Sequence, residues 1–180
     1  KNPDLADTWE RLCSEVEGTR GREAQIDAAR DQIAQGFIAR KIDDWMRDAC
    51  VMDASGHRHR GVLTGQDMAG WRASYEPCAW TNHAGWDVYK GGFWTQGPVQ
   101  LQVLNMLAGD DIAALDPLGP DFVHLVTEAL KLAFADREAQ YGDAEDVPAE
   151  TLLSAAYAAE RRAQIGAIAS PDLRPGHIPG

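Results

Sequence analysis

Two histidines separated by one residue, in His57-Arg58-His59, are the first side chains in this sequence that could do chemistry. On an extended segment residues i and i+2 point to the same side, so the two imidazoles could share a metal ion. Gly56 and Arg60 flank them, and glycine among arginines is typical of a solvated turn. We therefore interpret the pair as part of a turn, and no CxxC pair indicates a zinc site elsewhere in the sequence.

Asp136-Arg137-Glu138 is a second candidate, because a carboxylate beside a cation can serve as a general acid or base. Side chains at i and i+1 diverge around a helix, so these three would not converge on one substrate atom. An ion pair with another element is the favoured interpretation, and a catalytic carboxylate is the alternative. His124, upstream on the same predicted helix, is interpreted as a satisfied histidine in the core or at its edge.

Other common sites lack their signatures in this sequence. No serine lies in a nucleophile elbow, no cysteine has a histidine at triad spacing, and Gly91-Gly92 lacks the spacing of a dinucleotide-binding loop. The cysteines are odd in number and far apart, which favours reduced thiols over a disulfide framework; they are Cys13, Cys50 and Cys78. Reduced thiols indicate a cytoplasmic protein, with the periplasm as the alternative.

The composition indicates one ordinary globular chain and excludes some partners. Of its 180 residues 44% are hydrophobic and 25% are charged, and the formal net charge is -11. An acidic surface repels phosphate backbones and anionic lipids, so we expect neither nucleic acid nor a membrane surface as a partner. No run approaches the roughly 20 apolar residues of a membrane-spanning helix.

Periodicity predicts the elements that must position any site. The sequence predicts a helix from the Asn2-Pro3-Asp4 cap to near Gly18, a helical pattern over 23–49 interrupted at Gly36, and a turn-rich connector over 51–66. A short capped helix over 64–73, starting at Thr64, comes next. The remaining predicted elements are a β-hairpin with strands 76–81 and 86–90, and helices over 98–107, 120–141 and 154–165. The expected buried stripe of the 120–141 helix is Phe122, Val126, Ala129, Leu130, Ala133, Phe134 and Tyr141.

The segment KGGFWTQGPVQLQVLNML (residues 90–107) joins the predicted hairpin to the next helix. A glycine-rich turn that opens a helix often approaches a ligand, because the first backbone N–H groups of the helix are free. The same pattern also fits a packing corner. The residues alone leave both interpretations open.

Several segments, in collinear order, resemble the gamma-glutamyltransferase family of N-terminal-nucleophile hydrolases. The most specific are EALKLAFADREAQYGD (128–143) and VPAETLLSAAYAAERRAQI (147–165). NPDLADTWERL near the start and LTGQDMAGWRASYEP (63–77) are similar to earlier segments of the family's large subunit. LRPG (173–176) resembles the stretch just before the family's processing site.

The resemblance implies a precursor that cuts itself into two subunits. The nucleophile would be a threonine exposed at the N-terminus of the small subunit, with its own α-amine as base and no metal or cofactor. The chain, residues 1–180, would be the C-terminal portion of the large subunit and would contain no catalytic residue. Its expected partners are the small subunit from the same precursor, the N-terminal portion of the large subunit, which carries the family's substrate-binding arginine, and a small amide.

The resemblance further implies an α+β fold. The assembled protein would be a four-layer αββα sandwich, to which this mostly helical chain contributes outer helices and the β-hairpin. Arg174, Pro175 and Gly176 would lie close to the processing site. The tail from Gly176 to Gly180 is expected to fray up to the cut, and the break before Lys1 would be a second nick or a loop.

The stretch from Phe93 to Pro98 departs from the Pro- and Ser-rich segment of glutathione-handling members. It is closer to the amidohydrolase and acylase branch, such as oxamate amidohydrolase-like proteins. In this setting Trp94 would fill a gap between subunits, or Thr95 and Gln96 would line the edge of the substrate pocket together with Trp94.

The function that the resemblance implies is that of a bacterial heterodimeric enzyme which hydrolyses a small amide, gamma-glutamyl or oxamate-like, through an acyl-threonine. Acyl transfer is the second expectation. The alternatives are a homologue recruited to an unusual bond cleavage in secondary metabolism, and a non-catalytic helical scaffold or inactive relative.

Overall fold

The computed structural model describes residues 1–178, and the chain folds as two compact units, Lys1–Ser74 and Tyr75–Gly180. The first unit is helical apart from one short ladder. Its elements are helices α1 (Pro3–Val16), α2 (Arg22–Ala34) and α3 (Phe37–Asp48), strands β1 (Val51–Met52) and β2 (Arg58–His59), and helix α4 (Gly65–Gly70).

The helix boundaries of the first unit follow the predicted signals. The Asn2 side chain accepts a hydrogen bond from the Leu5 backbone N–H at 3.1 Å, which caps α1. Gly36 separates α2 from α3, and a Cβ there would lie 2.0 Å from the Gln32 side-chain oxygen. Thr64 caps α4, as the sequence predicted, and it does so in a reciprocal capping box with Asp67.

The connector after α3 contains a two-stranded ladder that was not predicted. β1 and β2 pair antiparallel, with Val51 opposite His59 and Met52 opposite Arg58. The turn between them closes at Gly56, whose φ of 80° suits glycine. Strands of two residues are too short for the alternation of side chains to show in a sequence. Helix α4 ends at Gly70, three residues before its predicted end.

The second unit has one hairpin and the longest helix. Its elements are strands β3 (Ala79–His83) and β4 (Trp86–Lys90), helix α5 (Gly97–Met106), a 3₁₀ turn (Ile112–Ala114), and helices α6 (Pro120–Gln140), α7 (Ala149–Leu152) and α8 (Ala155–Arg162). The prediction of a last helix over 154–165 corresponds to α8. The single turn of α7 just before it was missed.

The hairpin register differs from the predicted one at the turn. Asn82 and His83, expected in the turn, belong to β3 and pair with Asp87 and Trp86 of β4. Only two residues form the turn, and both have positive φ, 51° at Ala84 and 84° at Gly85. Such a turn matches the right-handed twist of the flanking strands, so the two strands pair up to the residues next to the turn.

The core of the second unit lies between α5, α6 and α8. Ala129, Leu132 and Ala133 of α6 have no exposed surface, whereas Leu130 and Phe134, which were predicted to be buried, are 36% and 38% exposed. The prediction gave weight to large side chains, but the buried face of α6 is built from alanines that let neighbouring backbones approach. That face also contains Glu128 and Asp136.

The chain is mostly helical, as the sequence predicted, and has two small sheets, of which only the β3–β4 hairpin was predicted. The four-layer sandwich of an assembled protein remains a prediction. Within residues 1–178, the helices are all too short or too polar to cross a bilayer.

Candidate functional site

Asp136 is the centre of a buried polar network in the second unit. It has no exposed surface, and its carboxylate accepts three hydrogen bonds and makes a further ion-pair contact with Arg161. Oδ1 accepts from the Gly176 backbone N–H at 2.7 Å and lies 3.0 Å from Arg161 Nη2. Oδ2 accepts from Gln102 Nε2 at 3.1 Å and Arg161 Nε at 3.2 Å. A carboxylate has about four lone-pair sites, so Asp136 is fully satisfied.

Arg161 of α8 is the cation of this network and is 1% exposed. Besides Asp136 it donates to the Leu132 carbonyl at 3.2 Å and to the Arg174 carbonyl at 2.5 Å. Its Nη1 donates to the Gln164 side chain at 3.0 Å. A buried guanidinium needs partners on each side of its fork, and here they come from α6 and from residues that follow α8.

A second ion-pair cluster lies on the same helix, two turns earlier. Glu128, 1% exposed, accepts from Lys131 Nζ at 2.5 Å and from Arg174 Nη2 at 2.8 Å. The hydrogen bond from Lys131 is the main reason that the pKa of Glu128 is lowered. Lys131 also donates to the Ser170 carbonyl. Glu128 and Asp136 together therefore hold both ends of residues 170–176, which we call the C-terminal segment.

Gly176 packs directly on an aromatic ring of α8. A Cβ placed on Gly176 would lie 1.9 Å from the Tyr157 hydroxyl oxygen and 2.7 Å from Cζ, closer than real Cβ atoms approach other atoms. Tyr157 is 5% exposed, and its pKa is raised, first by burial and then by the negative charge of Asp136. Only glycine therefore fits at position 176 against Tyr157.

This arrangement can hold a backbone in place but is not suited to proton transfer. Every lone pair of Asp136 is already used by a donor, which leaves none for a substrate proton. Of the two sequence interpretations, the ion pair with another element is the one observed. Arg137 and Glu138, the other members of the candidate, pair with each other at the surface.

The predicted processing-site residues lie on this network. The Arg174 side chain binds Glu128, its carbonyl binds Arg161, and the Gly176 N–H binds Asp136, while Pro175 is exposed between them. The prediction that the tail frays from Gly176 onward is wrong at Gly176, because its N–H is bonded to a buried carboxylate. Residues 179 and 180 lie outside the described residues.

Sequence reasoning missed Arg161, Glu128 and Tyr157. The available signal was the spacing of Glu128 and Asp136, eight residues or about two helical turns, which places two acids on one face of a helix. Acids on a buried face need cations from another element, and α8 ends in two arginines.

The three residues predicted at a pocket edge lie in the turn before α5. Thr95 Oγ1 donates to the Gly92 carbonyl at 2.8 Å and accepts from the Gly97 N–H at 3.0 Å, so it closes the turn and binds the first backbone N–H of α5. The Trp94 indole N–H donates to Glu76 at 2.9 Å, and its ring is 60% exposed. Gln96 is exposed. The structure thus gives Thr95 a packing role and leaves Trp94 and Gln96 at the surface of this chain.

The histidine candidates have ordinary partners. His59 Nδ1 lies 2.5 Å from an Asp53 carboxylate oxygen in the exposed β1–β2 turn, and the His57 ring centroid is 6.4 Å from that of His59. His124 Nε2 donates to the Gly166 carbonyl at 2.8 Å. Among residues 1–178, no three His, Cys, Asp or Glu side chains are grouped as metal ligands would be.

A family comparison identifies the class of protein to which this chain belongs. The gamma-glutamyltranspeptidase family matches residues 1–175, nearly the whole chain. The chain therefore belongs to the gamma-glutamyltranspeptidase family, as the resemblance indicated.

Individual relatives give finer detail. The chain is 33% identical over 138 residues to the acylase ACY 1 proenzyme of Pseudomonas sp. (strain SE83), covering 75% of this chain and 23% of that protein. It is 28% identical over 154 residues to the glutathione hydrolase proenzyme of Escherichia coli (strain K12), covering 82% and 25%. A solved structure described as LmbA2991HD is 50% identical, with a TM-score of 0.82, covering 98% of this chain and 30% of that one.

The chain spans about a quarter of the length of these two curated relatives, 23% and 25%. Both are named as proenzymes, one an acylase and the other a glutathione hydrolase.

Proposed function

We propose that this chain is the C-terminal portion of the large subunit of a self-processing amidohydrolase or acyltransferase. The observation that carries the proposal is the attachment of Arg174 and Gly176 to buried Glu128 and Asp136. These residues belong to the LRPG stretch, which resembles the segment before the processing site of the family. A precursor that cuts itself needs that segment held in one place.

The nucleophile would be a threonine that follows this segment in the full precursor and becomes the first residue of the small subunit. Its hydroxyl oxygen would attack the amide carbon of the substrate, and its free α-amine would take the proton. The leaving amine would carry that proton away, and water would hydrolyse the acyl ester. The role of this chain is to support the partner chain that carries these groups.

The substrate class we propose is a small amide, gamma-glutamyl or oxamate-like, with hydrolysis ahead of transfer. The names of the two curated relatives support this class of substrate, since one is an acylase and the other a glutathione hydrolase. Trp94, Thr95 and Gln96 are proposed to lie at the pocket edge of the assembled enzyme. Thr95 would act there through the turn that it closes, and Gln96 through its free side chain.

The test uses the full-length precursor after it has processed itself. Release of amine or ammonia is measured from a gamma-glutamyl anilide, from oxamate and from an aliphatic acyl amide, with and without a dipeptide acceptor. We expect turnover of at least one amide, and none when the N-terminal threonine of the small subunit is replaced by alanine. Equal turnover by the alanine variant would contradict the proposed chemistry. Processed protein without turnover of any amide would favour the non-catalytic alternative.

A further inference from the structure

We infer, on the basis of the proposed function, that Asp136 and Tyr157 are positioning residues for self-cleavage of the precursor. They act on the backbone at Gly176, one by a hydrogen bond and the other by a steric contact. Together they set the point from which the chain continues toward the bond that is cut. Both are proposed to act through the backbone of this segment and not as reacting groups.

The hydrogen-bonded part of this device is rigid because Asp136 cannot move without losing several partners. Its two oxygens are held by Gln102 from α5 and Arg161 from α8, and one bond remains for the Gly176 N–H at 2.7 Å. Arg161 also fixes the carbonyl of Arg174, two residues earlier. The chain is thus held at two neighbouring backbone positions by groups that are themselves buried and paired.

The steric part is the contact between Gly176 and the Tyr157 ring. The tyrosine leaves no room for a Cβ, since its hydroxyl oxygen would lie at 1.9 Å from it and the two nearest ring atoms at 2.7 and 3.1 Å. Gly176 does not have a positive φ, so glycine is required there by the lack of space and not by the backbone conformation. The ring therefore acts as a wall against which the segment rests.

Placement matters for cleavage because the proposed reaction is intramolecular. The threonine hydroxyl oxygen bonds to the preceding carbonyl carbon, the C–N bond breaks, and the hydroxyl proton passes to the departing amine. Water then adds to the resulting ester, the C–O bond to threonine breaks, and a carboxylate and a free hydroxyl are formed. Misplacement of reacting groups by about 1 Å costs on the order of 100-fold in rate.

Gly176→Ala in the full-length precursor is the primary test. The added methyl must move from 1.9 Å to beyond about 3 Å from the Tyr157 oxygen, a shift of about 1 Å. We expect release of the small subunit to slow by about 100-fold, while activity per mole of released small subunit stays at the wild-type value. Gly142→Ala is the matched control, because a Cβ there meets nothing within 4 Å, and it should process at the wild-type rate.

Tyr157→Leu separates positioning from a general loss of stability. Removing the ring opens the space beside Gly176, so the alanine substitution should slow processing in the wild-type background and not in the Tyr157→Leu background. The test also works if Gly176→Ala alone does not fold. In that case the double variant is expected to process at the same rate as Tyr157→Leu. Slowing by the same factor in both backgrounds, or in neither, would overturn the inference. A wild-type precursor that does not cut itself would instead contradict the proposed function.

Discussion

At the scale of single residues, Asp136 combines complete burial with complete pairing. Replacing it by alanine would leave the guanidinium of Arg161, itself 1% exposed, without its counter-ion. Breaking a buried pair from one side costs about 3–5 kcal/mol. We therefore expect Asp136→Ala to lower the free energy of unfolding by about that amount, measured by urea denaturation of the full precursor.

Glu138→Ala is the control on the same helix. Among residues 1–178 Glu138 pairs only with its neighbour Arg137, and its side chain is 56% exposed, so the loss should stay below about 1 kcal/mol. Equal losses for the two variants would show that the Asp136 pair is not what stabilises this unit.

Gln96 provides a second test at the residue scale. If the turn before α5 lies at the pocket edge of the assembled enzyme, Gln96→Ala should raise the KM for the amide and leave the melting temperature unchanged, because the side chain is exposed. Steady-state kinetics on the processed enzyme measure this. Gln100→Ala, one turn into α5 and also exposed, is the matched control. An unchanged KM in both variants would remove Gln96 from the proposed site.

The sequence predicted which residues begin and separate the helices, but it did not predict which residues bind each other between elements. The Asn2, Thr64 and Gly36 signals act within a few residues of themselves, so they could be interpreted locally. The Asp136–Arg161 pair spans 25 residues, and nothing in either position specifies the other. Only the packing of α8 against α6 brings them together.

At the scale of elements, the β3–β4 hairpin has a correctable defect. Ala84 has a φ of 51°, a left-handed conformation that asparagine adopts more readily than alanine. Ala84→Asn should create the favoured Asn-Gly turn and raise the free energy of unfolding by about 1 kcal/mol. Ala84→Val should lower it, because a β-branched residue is strained there. Thermal melts of the two variants should shift in opposite directions, and shifts of the same sign would contradict the turn assignment.

The turn after α5 is joined to α8 by a bidentate pair between Asp110 and Arg162, at 2.7 and 2.8 Å. The hydrogen bonds from Arg162 lower the pKa of Asp110. A carboxyl group whose folded-state pKa is lowered contributes stability above its unfolded pKa of about 4 and loses it as the pH falls through the folded value.

Asp110→Asn should therefore reduce stability at pH 7 and make it less sensitive to acid below about pH 4. Melting temperatures of wild type and variant, measured from pH 7 to pH 3, should converge as the pH falls. A difference in melting temperature that stays constant across this range would mean that the charge of Asp110 does not contribute to stability.

Elements were predicted well where their pattern was long. The 21 residues of α6 gave a clear period, whereas the strands β1 and β2 have two residues each and gave none. The buried face of α6 was partly wrong because small residues, which signal little hydrophobicity, are what allow α5 to pack closely against it.

At the scale of the whole molecule, exposed aromatic side chains indicate surface that the assembled protein could cover. The Trp80 and Tyr89 rings stack at 6.1 Å on one face of the hairpin and are 53% and 59% exposed, and Trp86 is 77% exposed. The proposed partner chains would cover such surface. The residues of this chain alone did not predict the assembly, because the nucleophile of the assembled enzyme is proposed to lie in the small subunit.

The central claim is that this chain comes from a precursor that cuts itself after the segment anchored on Asp136. Intact-mass measurement of the purified, denatured full-length protein tests it most directly. We expect a released small subunit that begins with threonine, and no such chain when that threonine is replaced by alanine. A single uncut chain in fully active wild-type protein would contradict the account.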